Sequence, residues 1–184
     1  YSDFEVLVPM GDEHVSARVA TLKRSENLTI YFIDQPHYYD RSALYAEDNI
    51  EYADNHERFI FLAKAVAHIA QYHSFEPDIV HPHDWHVGMV PVFLRHQAIL
   101  SGWRAPQSVV TIHNLAYQGH YPSDPVFGLT NLPADLFSPS GVEFYGGINF
   151  LKAAIICADA ITTVSPRYAR EVCTEEFGCS LDPV

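Results

Sequence analysis

Reactive side chains crowd one short stretch of this chain, between an apolar run that ends at Val80 and a helical pattern that begins at Val87. The stretch contains His81, His83, Asp84, Trp85 and His86. In open α/β sheets, ligands bind where a strand gives way to a helix in this manner. Imidazole and carboxylate groups can ligate a metal ion, and they can equally hydrogen-bond the hydroxyl groups of a sugar. The stretch therefore predicts a binding site, with a metal centre and a sugar-binding corner as its two interpretations.

The metal interpretation requires three histidines that converge on one ion. His81 and His83 would share a face of an extended segment, and His86 could complete a three-histidine zinc site. The spacing resembles the HxHxDH pattern of metal-dependent hydrolases, but Trp85 stands where that pattern has its aspartate. No second cluster with ligand spacing accompanies it. We therefore expect no metal, and hydrogen bonds at the strand end are the simpler role for His81 and His83.

A second polar cluster follows another apolar run. Residues 109–112 are Val-Val-Thr-Ile, His113 and Asn114 come directly after them, and a turn with Gln118 and Gly119 follows. Because the carboxyl ends of parallel strands meet at one edge of a sheet, we expect His113 and Asn114 to face the same crevice as Asp84. A histidine can also be a hydrogen-bonded part of a core, but two polar clusters at two strand ends favour a site.

Two further segments carry weaker signals. Tyr38 and Tyr39 follow a third apolar run, and their rings suit stacking on a sugar or a base as well as packing under a loop. Gly146 and Gly147 precede Asn149 and a helical pattern, which permits an anion site but is also common in simple turns. The sequence has no GxGxxG motif and no P-loop motif, so neither a dehydrogenase nor a P-loop NTPase is supported.

Composition narrows the class of ligand. The 184 residues carry a formal net charge of −12 with 11 lysines and arginines, which argues against a nucleic-acid or an anionic-membrane partner. Aromatic residues make up 13% of the chain, so rings are available for stacking. The 3 cysteines fit neither a disulfide framework nor a zinc site, and no apolar stretch reaches about 18 residues. We expect a cytoplasmic protein whose ligand is neutral or is neutralised locally.

Strand and helix patterns alternate along the chain. Strands are predicted over residues 4–9, 15–22, 28–34, 78–81, 108–112 and 160–164. Helices are predicted over residues 54–72, 87–100, 148–158 and 166–176. We expect the third strand to enter the main sheet, and the long aromatic connection over 114–147 to be ordered, with a short helical turn near 132–137. The fold class is α/β, a Rossmann-like parallel sheet with helices on both faces.

Five stretches of the sequence, in this order, resemble the amino-terminal domain of bacterial glycogen synthases and plant starch synthases. They are IDQPHYYDR, DNHERF, HPHDWHVGMVPVFLR, TIHNLAYQGHYP and FYGGINFLKAAIICADAITTVSPRYAREV. They cover most of residues 30–172 and are highly specific together. The resemblance implies the amino-terminal half of a two-domain GT-B glycosyltransferase, with residues 1–184 as one partial Rossmann-like domain.

The activity implied by this resemblance is retaining transfer of glucose from ADP-glucose to the 4-hydroxyl at the non-reducing end of an α-1,4-glucan. Neither a metal nor another cofactor is expected. The resemblance implies that His113 contacts the transferred glucose and stabilises an oxocarbenium-like transition state, while Asp84 approaches the glucosyl unit. It places Asn114 at the donor and Tyr39 at the mouth of the site. Further candidates for substrate binding are Trp85, His86, Gln118, Gly119 and Asn149.

The family pattern also has a Lys-Thr-Gly-Gly loop for the donor phosphates and a carboxy-terminal domain, and neither is found in these residues. We therefore expect a fragment that is inactive alone and binds ADP-glucose weakly. It would be cytoplasmic in a bacterium and plastidial in a plant. The alternatives are a related glycosyltransferase that uses UDP-glucose or another acceptor, a metal-dependent hydrolase built on His81, His83 and His86, and a glucan-binding module without catalysis.

Overall fold

The computed structural model describes residues 2–184. β1 (Ser2–Met10), β2 (Glu13–Ser25) and β3 (Leu28–Asp34) form an antiparallel sheet in the order β1-β2-β3. The turns at residues 11–12 and 26–27 are short, as is typical of antiparallel neighbours. Since β3 pairs with β2 in this separate sheet, the prediction that it enters the main sheet is wrong.

An irregular segment leads from this sheet to a long helix. It contains α1 (Pro36–Tyr39) and a hairpin of β4 (Ala46–Glu47) and β5 (Ile50–Glu51), and α2 (Asn55–Tyr72) follows. The predicted helix over 54–72 is confirmed. Asp54 stands at the N-cap position, but its carboxylate pairs with Arg41 Nη2 at 2.6 Å and makes no cap hydrogen bond. This carboxylate therefore ties the start of α2 to the segment after α1.

The next part of the chain begins a parallel sheet. β6 (Ile79–Val80) is followed by a 3-10 turn (Trp85–Val87), α3 (Val90–Ser101) and β7 (Gln107–Ile112), and β6 pairs in parallel with β7. The predicted elements are confirmed in type, but α3 begins later than expected because the 3-10 turn precedes it. The apolar run at residues 79–80 is not a buried strand. Ile79 is 57% exposed, since β6 is an edge strand within the described residues.

The long connection after β7 is ordered, as expected. It contains β8 (His120–Pro122), α4 (Val126–Thr130), a 3-10 turn (Ala134–Leu136), β9 (Glu143–Phe144) and β10 (Gly147–Asn149). The three strands form a small antiparallel sheet in the order β8-β10-β9. Because Asn149 pairs with His120 in that sheet and caps the next helix, this helix starts at Phe150 and not at residue 148.

The remaining elements are α5 (Phe150–Cys157), β11 (Ala160–Thr163) and α6 (Pro166–Glu171). β11 pairs in parallel with β7, so the parallel sheet has the order β11-β7-β6. Ser165 is the N-cap of α6, and its Oγ accepts a hydrogen bond from Tyr168 N at 3.1 Å. The helix is shorter than predicted. The α/β class with a Rossmann-like parallel sheet is confirmed.

The two faces of the parallel sheet differ. Ser108, Val110 and Ile112 of β7 are buried on the face that carries the apolar core. Parallel crossovers of the usual right-handed sense place α3 and α5, which contact each other, on this face. On the opposite face, Thr111 and Thr162 are hydrogen-bonded to each other and Thr162 is exposed. The predicted helical cover of both faces is therefore incomplete over residues 2–184.

A buried lysine on α2 connects three parts of the fold. The residue is Lys64, which is 5% exposed, and its Nζ donates to Pro9 O at 2.6 Å, Leu129 O at 2.7 Å and Asn131 Oδ1 at 2.7 Å. None of these acceptors is charged, and burial lowers the pKa of Lys64 to about 7. The amine thus anchors the end of β1 and the end of α4 on α2.

We expect Lys64→Met to lower the free energy of unfolding by about 2 kcal/mol, because Pro9 O, Leu129 O and Asn131 Oδ1 all lose their hydrogen bond from Nζ. Between about pH 7 and pH 10 the folded wild type holds fewer protons at Lys64 than the unfolded chain does, so its stability rises with pH relative to the variant. Chemical denaturation at both pH values measures the difference. The exposed Lys23→Met is the control. Parallel pH dependence of the wild type and Lys64→Met would contradict the depressed pKa.

Candidate functional site

Asp84 links the ends of two parallel strands. Its main-chain N–H donates to Thr111 O at 3.0 Å, and its Oδ1 accepts from His113 N at 2.7 Å and, more weakly, from Asn114 N at 3.5 Å. Its backbone has φ 60° and ψ −174°, a region that residues other than glycine rarely occupy. The hydrogen bonds on both sides of the residue hold this conformation. The predicted meeting of Asp84 with the His113-Asn114 turn is therefore what the structure shows.

Histidines line the open face beside this turn. His83 Nδ1 lies 3.0 Å from His113 Nε2, and the rings of His81 and His83 pack against each other, tilted, with centroids 4.4 Å apart. His81 Nε2 is hydrogen-bonded to Thr111 Oγ1 at 2.7 Å, which is the strand-end role expected for it. Desolvation, followed by the proximity of His81 and of His113, lowers the pKa of His83. These rings are bound to one another and to hydroxyl groups.

His86 points elsewhere, so the three-histidine metal centre does not form. Its ring stacks on Trp85 with centroids 4.2 Å apart and packs against Phe59 at 5.0 Å. Over residues 2–184, no group of three or more His, Cys, Asp or Glu side chains is placed to hold a metal ion. The hydrolase built on His81, His83 and His86 therefore has no support in the geometry.

Two cavities lie on either side of the stacked pair of Trp85 and His86. The first, which we call the turn cavity, has a volume of about 310 Å³ and is lined by Trp85, Glu51, Tyr117, Gln118, Gly119 and Tyr121. The second, which we call the tyrosine cavity, has a volume of about 520 Å³ and is lined by His86, Tyr39, Tyr45, Phe59, Arg41 and Arg58. The predicted binding residues are therefore divided between the two cavities. Trp85, Gln118 and Gly119 line one cavity, and Tyr39 and His86 line the other.

Gln118 and Asn149 connect the turn cavity to the framework. Gln118 Oε1 accepts from Asn149 Nδ2 at 2.7 Å, and Gln118 Nε2 donates to Cys179 O at 2.9 Å. Asn149 Oδ1 accepts from Lys152 N at 2.9 Å, which caps α5. Asn149 is fully buried. Asn149 thus supports the framework, because both ends of its amide are hydrogen-bonded inside the protein, and its substrate contact stays a prediction.

Three residues that the sequence did not identify as site residues also lie at the two cavities. Tyr117 lies in the turn cavity with a 59% exposed side chain. The Tyr121 hydroxyl is buried without a hydrogen-bond partner among the described residues. Arg58 is 3% exposed and donates to Tyr38 O at 2.7 Å and to Leu44 O at 2.8 Å, which shapes the tyrosine cavity. The DNHERF stretch was the one available signal for Arg58.

Comparison with known proteins decides the family. A family model described as starch synthase catalytic domain matches residues 1–184. The chain belongs to this family. It is 42% identical to a glycogen synthase of Opitutus terrae over 182 residues, 98% of this chain and 38% of that protein. It is 43% identical to a glycogen synthase of Myxococcus xanthus over 176 residues, 95% of this chain and 36% of that protein. The chain thus spans less than two fifths of the length of these curated relatives.

A solved structure of a starch synthase has the same fold. It is the catalytic domain of starch synthase IV from Arabidopsis thaliana bound to ADP and acarbose, with a TM-score of 0.84 and 27% sequence identity. The match covers 98% of this chain and 36% of that chain. The α/β fold class predicted from the sequence, with a Rossmann-like parallel sheet, is thereby confirmed. No helix among residues 2–184 is both long and apolar enough to cross a membrane.

Gly119 combines a left-handed backbone conformation with a close contact to the Trp85 ring. Its φ is +61°, and an added Cβ would lie 2.3 Å from Trp85 Cε3. We expect Gly119→Ala to lower the free energy of unfolding by about 2 kcal/mol or more, because backbone strain and a clash add. Gly102→Ala has a similar φ of +70° with open space around its Cβ, so it isolates the strain alone. Thermal unfolding measures both, and equal losses would contradict the close packing on Trp85.

Two substitutions of Asp84 separate the energetic effect of its backbone strain from the effect of its hydrogen bonds. Asp84→Gly and Asp84→Ala both remove the carboxylate, but glycine alone relieves the φ of 60°. We expect the glycine variant to be about 1–3 kcal/mol more stable than the alanine variant. The same pair at Asp48, where φ is 51° in an exposed turn, serves as a control for the generic strain. Denaturation would contradict this assignment of strain if the alanine variant proved as stable as the glycine variant.

Proposed function

We propose that this chain is the amino-terminal half of a retaining glucosyltransferase that transfers glucose from ADP-glucose to the non-reducing end of an α-1,4-glucan. The observation that carries the proposal is the Asp84 carboxylate bonded to the turn of His113 and Asn114, in a chain of the starch synthase family. The solved relative is bound to ADP and acarbose, which supports a nucleotide-sugar donor and a glucan acceptor. Under this proposal no metal takes part.

Under this proposal Asp84 and His113 have separate tasks. Within the described residues Asp84 bonds through Oδ1, so Oδ2 is available to a ligand. A carboxylate beside the reacting sugar stabilises the positive charge that develops at its anomeric carbon. His113 is exposed at the end of β7 and is held by its main chain and by its ring. Such a fixed imidazole can orient the transferred glucose by a hydrogen bond.

A glucan acceptor suits the turn cavity, which is lined in part by residues 116–121, shortly after His113 and Asn114 in the chain. The turn cavity combines the exposed Tyr117 ring with the Glu51 carboxylate. Aromatic faces stack on the apolar faces of sugars, and carboxylates bind sugar hydroxyls. A net charge of −12 would repel an anionic polymer, whereas a neutral glucan meets no such barrier.

The proposal is tested in the full-length protein, with ADP-glucose and glycogen and with released ADP as the measurement. We expect His113→Ala to lower kcat by about 100-fold or more while the KM values change little, because the lost contact acts in the transition state. His14→Ala, at an exposed position of β2, is the control. Loss of glucosyl transfer in the wild type, or an unaltered kcat in His113→Ala, would contradict the proposal.

The same assay with UDP-glucose separates the donor alternatives. We expect ADP-glucose to give the higher kcat/KM. A preference for UDP-glucose would assign the protein to the related glycosyltransferases of the same architecture. Binding of glycogen with neither donor consumed would assign it to the glucan-binding modules.

A further inference from the structure

His83 contributes a ring contact that the proposed function does not yet use. We propose that His83 is a positioning residue for His113, which it holds through Nε2 so that Nδ1 of His113 is the ring atom presented to the ligand. The inference rests on the proposed function, in which His113 contacts the transferred glucose. It adds a residue that touches neither donor nor acceptor and acts through another side chain.

The ring contact restricts both imidazoles. His83 Nδ1 and His113 Nε2 are 3.0 Å apart, which is the length of a normal hydrogen bond. One nitrogen must carry the proton and the other must offer its lone pair, so the tautomers of the two rings are coupled. With Nε2 engaged in this bond, His113 retains one ring nitrogen, Nδ1, for a substrate hydroxyl.

His83 is itself held in place. Its ring packs against that of His81 in a tilted arrangement, with centroids 4.4 Å apart and an interplanar angle of 33°. His81 Nε2 is bonded to Thr111 Oγ1 at 2.7 Å, and Thr111 Oγ1 is bonded to Thr162 Oγ1 at 2.7 Å. The row runs across all three strands of the parallel sheet, from the end of β6 to β11. A side chain supported by the sheet can transmit a fixed orientation to His113.

His83 and Asp84, which are adjacent in the sequence, hold His113 at two different points. His83 holds the ring, and Asp84 holds the main-chain N–H at 2.7 Å from its Oδ1. His83 also forms a bridge with Thr111 in the parallel sense, which extends the β6-β7 pairing toward the site. Asp84 fixes the main chain of His113, and the ring contact with His83 restricts rotation about the His113 side-chain bonds.

The test compares two substitutions in the full-length protein. In His83→Asn, an amide atom on Cγ takes the place of Nδ1, so the contact to His113 can be kept. In His83→Leu the volume is similar and the contact is lost. Steady-state assays give kcat and KM for ADP-glucose and glycogen, and crystal structures of both variants give the orientation of the His113 ring. His14→Leu is the control.

We expect His83→Leu to lower kcat by about 10- to 100-fold with both KM values within a few-fold of the wild type, since a misplaced contact affects the transition state. We expect His83→Asn to keep a kcat close to that of the wild type. In the crystal structures, the His113 ring turns in the leucine variant and keeps its orientation in the asparagine variant.

Three results would overturn the inference. They are an unaltered orientation of the His113 ring in His83→Leu, a change in KM with kcat unaltered, and equal losses of kcat in His83→Leu and His83→Asn. The crystal structures decide the ring contact even if the wild type transfers no glucose. Failure of the proposed function is therefore separable from failure of this inference, because it shows in the wild-type assay and not in the ring orientation.

Discussion

The bond between the Asp84 carboxylate and the main chain of His113 is the constraint on which the candidate site depends. It joins the segment after β6 to the turn after β7, at 2.7 Å from Oδ1 to the amide nitrogen. The backbone of Asp84 accepts an unfavourable conformation for it, which the Asp84 N–H bond to Thr111 O helps to hold. With the two strand ends joined, His83 meets His113 and Trp85 meets Gly119. The positions of the site residues thus follow from one charge-assisted contact.

Buried basic side chains stabilise the irregular segments around the site in a common way. Lys64, Lys152 and Arg58 each donate to main-chain carbonyl oxygens of loops and helix ends, and the hydrogen bonds described for them go to no carboxylate. Lys152 Nζ reaches Pro139 O at 2.6 Å and Gly141 O at 3.2 Å, which fixes the connection before β9. Carbonyl groups in loops lack partners from a sheet or helix, so these donors satisfy them without water. Loops that would otherwise move therefore form rigid walls.

Much of this could be predicted because it depends on local pattern. The helix over 54–72 follows from apolar spacing, and the cap at Ser165 follows from its hydroxyl and the proline after it. The meeting of Asp84 with His113 followed from the rule that parallel strand ends share an edge. The prediction for β3 is wrong because an apolar strand pattern carries no information about its pairing partner. The hydrogen bonds that Asn149 makes inside the protein could not be predicted, because a helix cap and a ligand contact use the same residue type.

The sequence by itself determined the α/β class, the family and the residues of the two strand-end clusters, since residue type, spacing and motif order are properties of the chain. The tertiary structure alone decided how those residues are divided. In the folded protein Trp85 and His86 are stacked and line different cavities, and Asn149 is buried. The ring of His83 is hydrogen-bonded to that of His113. Contacts between residues about 30 positions apart depend on strand pairing and packing, which spacing along one chain does not specify.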